Sequence, residues 1–193
     1  MLWQRRVFLL KKFLSSPKKK ETAIFLSVFL NHTMNFTHKT YTLQQAKKSI
    51  EKYCAYQERC HQEVTKKLRE MRMIPQAIDE IIGHLLAHNF INETRFSQAF
   101  ARGKFRQKKW GRNRITRELK MRNISAYNIK LAQKEIPENE YLDTFDALFN
   151  KRLAQLNEET NEQKKRKKIA DYLLYRGWES AMIFERLRTL TKN

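Results

Sequence analysis

A chain of 193 residues can form one ordinary domain or several small units packed in a row. Only four glycines and three prolines, beside abundant Lys, Arg, Glu, Gln, Leu and Ala, exclude a loop-rich or all-β protein and predict an all-α fold. The formal net charge of +20 exceeds what solubility requires, and its self-repulsion opposes compaction unless an anionic partner relieves it. Nucleic acid, an acidic protein surface and an anionic membrane are the candidate partners, beside a merely solvated basic surface.

Residues 1–33 differ in composition from the remainder of the chain. Their two apolar clusters are separated by lysines, and neither approaches the ~20 apolar residues that a membrane-spanning helix needs. Arg5 and Arg6 resemble a twin-arginine export signal, but charges interrupt the apolar region that follows and no small-residue cleavage site comes after it, so we reject export. We expect residues 1–39 to be an extension that is either disordered or outside the native protein, with Met34 as the true start.

From Thr42 onward the sequence predicts amphipathic helices separated by short joints. Thr42 is a capping residue for a first helix that continues through Tyr53 or beyond. A second helix is predicted from about Glu58 to Met71. Pro75 stands where the first turn of a third helix tolerates proline, and the apolar pattern carries that helix to Asn89.

The middle of the chain repeats this order of elements. Asn92 is a good N-cap for a helix that Trp110 and Gly111 interrupt. A helix resumes over Arg112–Arg122, Ser125 caps another, and Pro137 ends the unit. The last part of the chain follows the same plan, with a polar insert before its middle helix.

One apolar spacing occurs three times. Each copy has apolar residues at offsets 0, 4, 9 and 14, and the copies begin 51 and 54 residues apart. The members are Val64, Leu68, Met73 and Ile78; Ile115, Leu119, Ile124 and Ile129; and Ile169, Leu173, Trp178 and Ile183. A helix that ends near offset 7, a tight turn and a capped helix that packs back would produce this spacing. We therefore predict three tandem three-helix repeats, at 40–91, 92–137 and 138–193, in an elongated, curved body.

Basic residues concentrate on or beside the middle helix of each predicted repeat. The first repeat has Lys66, Lys67, Arg69 and Arg72. Our candidates for anionic contacts are Arg102, Lys104, Arg106, Lys108, Lys109, Arg112, Arg114, Arg117 and Lys120, with Lys164, Lys165, Arg166, Lys167 and Lys168 as a second group. Cationic clusters in register along one side would suit a phosphate backbone or an acidic filament groove better than a compact ligand. The aromatic residues, Trp110 included, have core spacing, which favours backbone neutralisation over base stacking.

No residue pattern indicates catalysis. The glycines are scattered, and there is no nucleophile elbow, metal motif or pair of carboxylates in an apolar context. Cys54 and Cys60 are expected to be ordinary thiols in a reducing compartment. His84 and His88 could hold a metal ion from one helix face, but no acidic or thiol ligand accompanies them in the sequence, which favours a surface position. We expect no enzymatic activity, cofactor or bound metal.

Three stretches carry a family resemblance. They are NFINETRFSQAF at 89–100, WGRNRITREL at 110–119 and RNI at 122–124. They resemble the RecX family of bacterial recombination regulators, with its helix start "F-I-N/D-D-x-x-F-A" followed by "G-x-x-R-I-x-x-E-L-x-x-K-G-I". The match is specific over about 40 residues, and the three-unit plan extends it over 40–190. The family's last glycine is Asn123 here, which a left-handed helix end tolerates.

The resemblance implies three tandem three-helix repeats and a modulator of the RecA recombinase. Family members bind the RecA filament on DNA and inhibit its ATPase and strand-exchange activities in DNA repair, recombination and the SOS response. The expected partners are therefore the RecA filament and, weakly and without sequence specificity, single- or double-stranded DNA, but no membrane. We expect a cytoplasmic monomer. The alternative is a stand-alone basic nucleic-acid-binding module that has no RecA partner.

Helical spacing also predicts ion pairs inside the basic segment. Arg114 and Arg122 can each reach Glu118 at i,i+4 spacing. Arg112 and Arg117 are expected to be surface residues, so that reversing both charges would weaken binding with little loss of stability.

Overall fold

The structure, a computed structural model, describes residues 40–190, in which there are nine α-helices and no strand. The helices are α1 (Leu43–Tyr56), α2 (His61–Glu70), α3 (Pro75–Ala87), α4 (Glu93–Lys108), α5 (Arg112–Lys120), α6 (Ala126–Gln133), α7 (Glu138–Ala154), α8 (Glu162–Arg176) and α9 (Ser180–Thr189). They form three tandem three-helix units: unit 1 (α1–α3), unit 2 (α4–α6) and unit 3 (α7–α9). The all-α prediction is confirmed, whereas the expected extension at 1–39 lies outside the described residues.

Three helices, α1, α4 and α6, start directly after the predicted capping residues Thr42, Asn92 and Ser125, and a further cap that was not predicted is Asn161. The Thr42 hydroxyl accepts a hydrogen bond from the Gln45 N–H, and the Gln45 side chain accepts one from the Thr42 N–H, both at 3.2 Å. This reciprocal pair satisfies two N–H groups that a helix start otherwise leaves free. Asn92 and Ser125 cap α4 and α6 through the N–H three residues on, at 2.9 and 3.3 Å. Asn161 caps α8 in the same way, at 3.0 Å.

The repeated apolar spacing corresponds to one joint between the second and third helices of each unit. At offset 8 the backbone is left-handed, with φ of 59° at Arg72, 58° at Asn123 and 85° at Gly177. In all three units the N–H at offset 9 donates to the carbonyl at offset 4 over 3.1 Å, which closes the helix end. Eleven of the twelve template residues are at most 7% exposed, and Met73 packs against the core. Asn123 therefore takes the left-handed conformation that the sequence predicted.

The described helices enclose two apolar cores. Unit 1 has its own, which includes Ile50, Leu68 and Leu85. Units 2 and 3 share the other, in which the Trp178 ring lies 4.4 Å from the ring of Tyr141. Cys60 of unit 1 also packs into this shared core. Burial on this scale is the main source of stability, at roughly 1.5–3 kcal/mol for each fully buried large aliphatic or aromatic side chain.

Helix α2 begins at His61, three residues later than predicted. The backbone is extended at Gln57 and Cys60, which lets the Glu58 carboxylate reach Arg95 of unit 2 at 2.5 Å. Glu58, which the local pattern assigned to the first turn of a helix, therefore forms a long-range ion pair instead.

Two glycines bring the start of α5 against the end of α8. The Gly111 N–H donates to the Arg176 carbonyl at 2.9 Å, and the Asn113 N–H donates to the Gly177 carbonyl at 3.1 Å. A Cβ atom at Gly111 would lie 2.3 Å from the Gly177 carbonyl oxygen, and one at Gly177 would lie 2.2 Å from Cβ of Arg114. Only residues without a side chain allow this approach.

We predict that Gly111→Ala and Gly177→Ala each lower the free energy of unfolding by about 1–3 kcal/mol, the usual range for overpacking. Gly177→Ala carries an added conformational cost because its φ of 85° is unfavourable for residues with a side chain. Urea denaturation followed by circular dichroism measures both.

The matched control is Gly103→Ala in α4, where a Cβ would have no atom within 4 Å. It should raise the stability by about 0.4–1 kcal/mol because alanine restricts the unfolded chain. Equal effects at all three glycines would contradict the role of the Gly111–Gly177 contact.

Candidate anion-binding surface

Three of the predicted anion-binding arginines are paired with acids at the joint between units 2 and 3. The pairs are Arg102 with Glu135 at 2.6 Å, Arg106 with Glu140 at 4.0 Å and Arg112 with Glu138 at 2.6 Å. The Arg112 guanidinium also lies 4.2 Å from the centroid of the Tyr141 ring. Pairs as exposed as these contribute at most about 1 kcal/mol each, but they neutralise the cation for any external anion.

Tyr141 anchors the Arg112 contact from inside the core. Its hydroxyl donates to the Glu179 carboxylate at 2.6 Å and accepts the Arg112 N–H at 3.0 Å. Burial, followed by the hydrogen bond to Glu179, raises the pKa of Tyr141 well above its ordinary value, so the hydroxyl keeps its proton. Arg112 is thus part of a packed network, and the expectation that it is a dispensable surface residue is wrong.

Arg114 is held between two aromatic rings. Its guanidinium lies 4.1 Å from the Trp110 ring centroid and 4.8 Å from that of Tyr175, and it donates to the Tyr175 carbonyl at 3.0 Å. The predicted pair with Glu118 is therefore wrong for Arg114, because a partner 61 residues away in sequence competes for it. Arg122 does pair with Glu118, at 2.9 Å, as predicted.

Lys104 is also held by other residues of the protein, in this case by two aromatic rings. Its ammonium lies 5.2 Å and 5.4 Å from the ring centroids of Phe100 and Trp110. Trp110 itself packs against the shared core and meets Phe100 edge-on at 6.5 Å. Its position agrees with the expectation that it is a packing residue.

The remaining candidates in this segment are exposed. Lys108, Lys109, Arg117 and Lys120 have side chains that form no ion pair or hydrogen bond with any residue in 40–190. Lys109 occupies the left-handed end of α4, with φ of 53°. Arg117 and Lys120 lie on α5, on the side opposite its buried residues Ile115 and Leu119.

The basic residues of α8 also fall into two groups, those that form ion pairs and those that do not. Lys165 and Lys168 pair with Glu162 at 3.9 Å and Glu159 at 2.5 Å. The hydrogen bond from Lys168 lowers the pKa of Glu159. Within the described part of the chain, the side chains of Lys164, Arg166 and Lys167 have no such partner. Half of the fourteen candidate cations are therefore engaged inside the protein and half are available.

A cavity of about 610 Å³ lies between units 1 and 2. Its lining includes Glu58 and Glu63 beside Arg59 and Arg122, and Glu63 pairs with Arg122 at 3.5 Å. Charges of both signs cancel much of each other's field, so this cavity does not attract anions as the exposed cations do.

The acidic, thiol and imidazole side chains of the described residues form no cluster of the size usual for a metal site. No group of three or more His, Cys, Asp or Glu residues in 40–190 is arranged to hold an ion. The Glu51 carboxylate lies 2.7 Å from Nε2 of His84. This acidic partner of His84 was missed from the sequence because the two residues are 33 positions apart. His88 instead contacts the backbone carbonyl of His84. No helix in the described range has both the length and the apolar composition to cross a bilayer.

Two family models match the sequence of units 2 and 3. Residues 92–132 match the model described as the second three-helix domain of RecX, and residues 138–187 match the one described as its third three-helix domain. The chain belongs to the RecX family. Two relatives named regulatory protein RecX are each 26% identical: that of Oceanobacillus iheyensis over 146 residues and that of Bacillus cytotoxicus over 131. The alignments cover 76% and 68% of this chain, which spans about half the length of those relatives, 51% and 48%.

Two RecX crystal structures have the same fold. One, titled regulatory protein RecX, superposes with a TM-score of 0.66 at 18% identity, and covers 76% of this chain and 71% of the other. RecX from Lactobacillus salivarius superposes with a TM-score of 0.64 at 22% identity, and covers 78% and 97%. In this RecX-family chain, the glycine and arginine of the motif "G-x-x-R-I" are Gly111 and Arg114, and both lie at the contact between units 2 and 3.

We predict that Arg112→Ala and Arg117→Ala have unequal effects on stability. Loss of the ion pair and ring contact of Arg112 should lower the free energy of unfolding by about 1–2 kcal/mol. Arg117, on the same helix and without a partner in the described residues, should change it by less than about 0.5 kcal/mol. Urea denaturation of the two variants decides this, and equal losses would contradict the division between engaged and available cations.

The two cysteines should be unreactive in the folded protein. Burial raises the pKa of Cys54 to about 11 and also raises that of Cys60, so neither forms much thiolate at pH 8. A thiol reagent at pH 8 should therefore label the native protein slowly and label both cysteines rapidly in guanidinium chloride. Rapid labelling of the native protein would show an accessible thiol that the structure does not contain.

Proposed function

We propose that this chain regulates RecA by binding the RecA filament on DNA, as a monomer in the cytoplasm, and that binding inhibits ATP hydrolysis and strand exchange. Family membership supports the regulatory role. The observation that carries the proposed binding mode is the set of exposed cations that form no ion pair or hydrogen bond with the described residues, which includes Arg117, Lys120 and Lys167.

The physical reason is electrostatic. A chain with a net charge of +20 gains free energy when an anionic partner relieves its self-repulsion. A filament of protein on DNA presents phosphates along its whole length. A protein that acts by occupying such a filament needs no catalytic group, and it should act in stoichiometric amounts.

The test is to titrate the protein onto pre-formed RecA filaments on single-stranded DNA and to follow ATP hydrolysis. We expect inhibition that is complete near one protein for each RecA monomer, and that weakens as salt screens the cations. Absence of inhibition at equimolar protein would refute the proposal.

A competitor separates filament binding from simple binding to DNA. Bare duplex DNA in excess over the filament should leave most of the inhibition intact if the filament is the preferred partner. If the duplex abolishes inhibition, the chain is a stand-alone nucleic-acid-binding module.

A further inference from the structure

Units 1 and 2 carry the same pair of exposed cations at the same place in the repeat. Lys66 and Arg69 lie two and five residues after Val64 in α2. Arg117 and Lys120 lie two and five residues after Ile115 in α5. We call these four residues the repeated cation pairs. None of their side chains forms an ion pair or hydrogen bond with another residue in 40–190.

The geometry of the helix directs both pairs away from the core. Offsets 0 and 4 are fully buried in α2 and α5, with Val64, Leu68, Ile115 and Leu119 all at 0% exposure. With 3.6 residues per turn, offsets 2 and 5 lie on the opposite side, roughly 4.5 Å apart along the axis. Each pair is thus a small cationic site on the exposed side of its own unit.

Unit 3 does not repeat this feature. The same offsets hold Asp171 and Leu174 in α8. Helix α8 also begins seven residues before Ile169, whereas α2 and α5 begin three residues before their template residues. Two of the four lysines of α8, Lys164 and Lys165, therefore lie in an additional first turn, outside the positions that the three units share.

We propose that the repeated cation pairs bind the phosphate backbone of nucleic acid without reading its sequence, and that they are the DNA-contacting part of the interaction proposed above, on which this inference rests. A nucleic-acid strand places one charge every ~3.4 Å along its axis, so it can meet two similar cationic sites at whatever separation the units impose. Phosphates are contacted mainly by Lys and Arg. Protein interfaces are enriched in Arg but depleted in Lys, so the lysine in each pair favours nucleic acid over an acidic protein.

The test compares two variants that lose the same charge. Lys66→Gln, Arg69→Gln, Arg117→Gln and Lys120→Gln together remove the repeated cation pairs. Lys47→Gln, Lys48→Gln, Lys52→Gln and Lys151→Gln together remove four cations of α1 and α7 that also have no ion-pair partner within 40–190. Urea denaturation confirms that both variants fold, and fluorescence anisotropy measures their binding to a labelled duplex of random sequence between 50 and 200 mM salt.

We expect the first variant to lose about 0.9 from the slope of log affinity against log salt for each phosphate contact removed, up to about 3.6 for four. The control variant should keep most of the wild-type slope. Equal losses in the two variants would mean that only net charge matters, and would overturn the proposal.

The RecA assay distinguishes the remaining outcomes. If the first variant keeps its affinity for DNA but inhibits RecA filaments less, the pairs contact an acidic protein surface and the assignment to nucleic acid is wrong. If the wild-type protein does not inhibit RecA, while the first variant alone loses the salt slope, the nucleic-acid surface is supported and the proposed function fails.

Discussion

The contact between the start of α5 and the end of α8 constrains the rest of units 2 and 3. A helix start has N–H groups without partners, and a helix end has carbonyl groups without partners. Here each end supplies what the other lacks, through the N–H groups of Gly111 and Asn113 and the carbonyls of Arg176 and Gly177. Their partial charges are also of opposite sign. The free start of a helix often binds phosphate, but this one is filled by the protein's own carbonyls, so it is not an anion site.

That contact also decides how the nearby arginines are used. Because Gly111 and Gly177 allow the backbones to touch, Arg114 meets the Tyr175 carbonyl and stacks between two rings. On the reciprocal side, the Arg176 guanidinium donates to the Lys108 carbonyl at 2.7 Å. Planar guanidinium groups suit such positions, since they stack on rings and donate to several acceptors at once. Part of the most basic stretch of the sequence, through Arg106, Arg112 and Arg114, therefore holds units 2 and 3 together.

The features that the sequence predicted correctly are those that depend on residues close together in the chain. The caps at Thr42, Asn92 and Ser125, the left-handed Asn123 and the buried template all follow from local chemistry or periodicity. The partners of Arg114 and His84 could not be predicted, because they lie 61 and 33 residues away. In a helical pattern, a charged side chain is predicted to lie on the surface. Only the packing of the three-helix units shows which charged side chains contact another unit. The sequence therefore predicted which cations lie in this region, but not which of them are paired inside the protein and which are exposed.

The cations that remain available cannot be explained by the stability of the fold. Lys164 lies in the first turn of α8, where the helix dipole disfavours positive charge by about 0.3–1 kcal/mol. The local acids Glu159 and Glu162 form ion pairs with Lys168 and Lys165, so Lys164 has no ion pair of its own in the described residues and is attracted by Glu159 only at longer range. In α2 and α5 the available cations are exposed opposite the core, where glutamine or alanine would fold as well. Exposed cations in three successive units that the fold does not need are consistent with the proposed anionic partner, which would relieve their mutual repulsion.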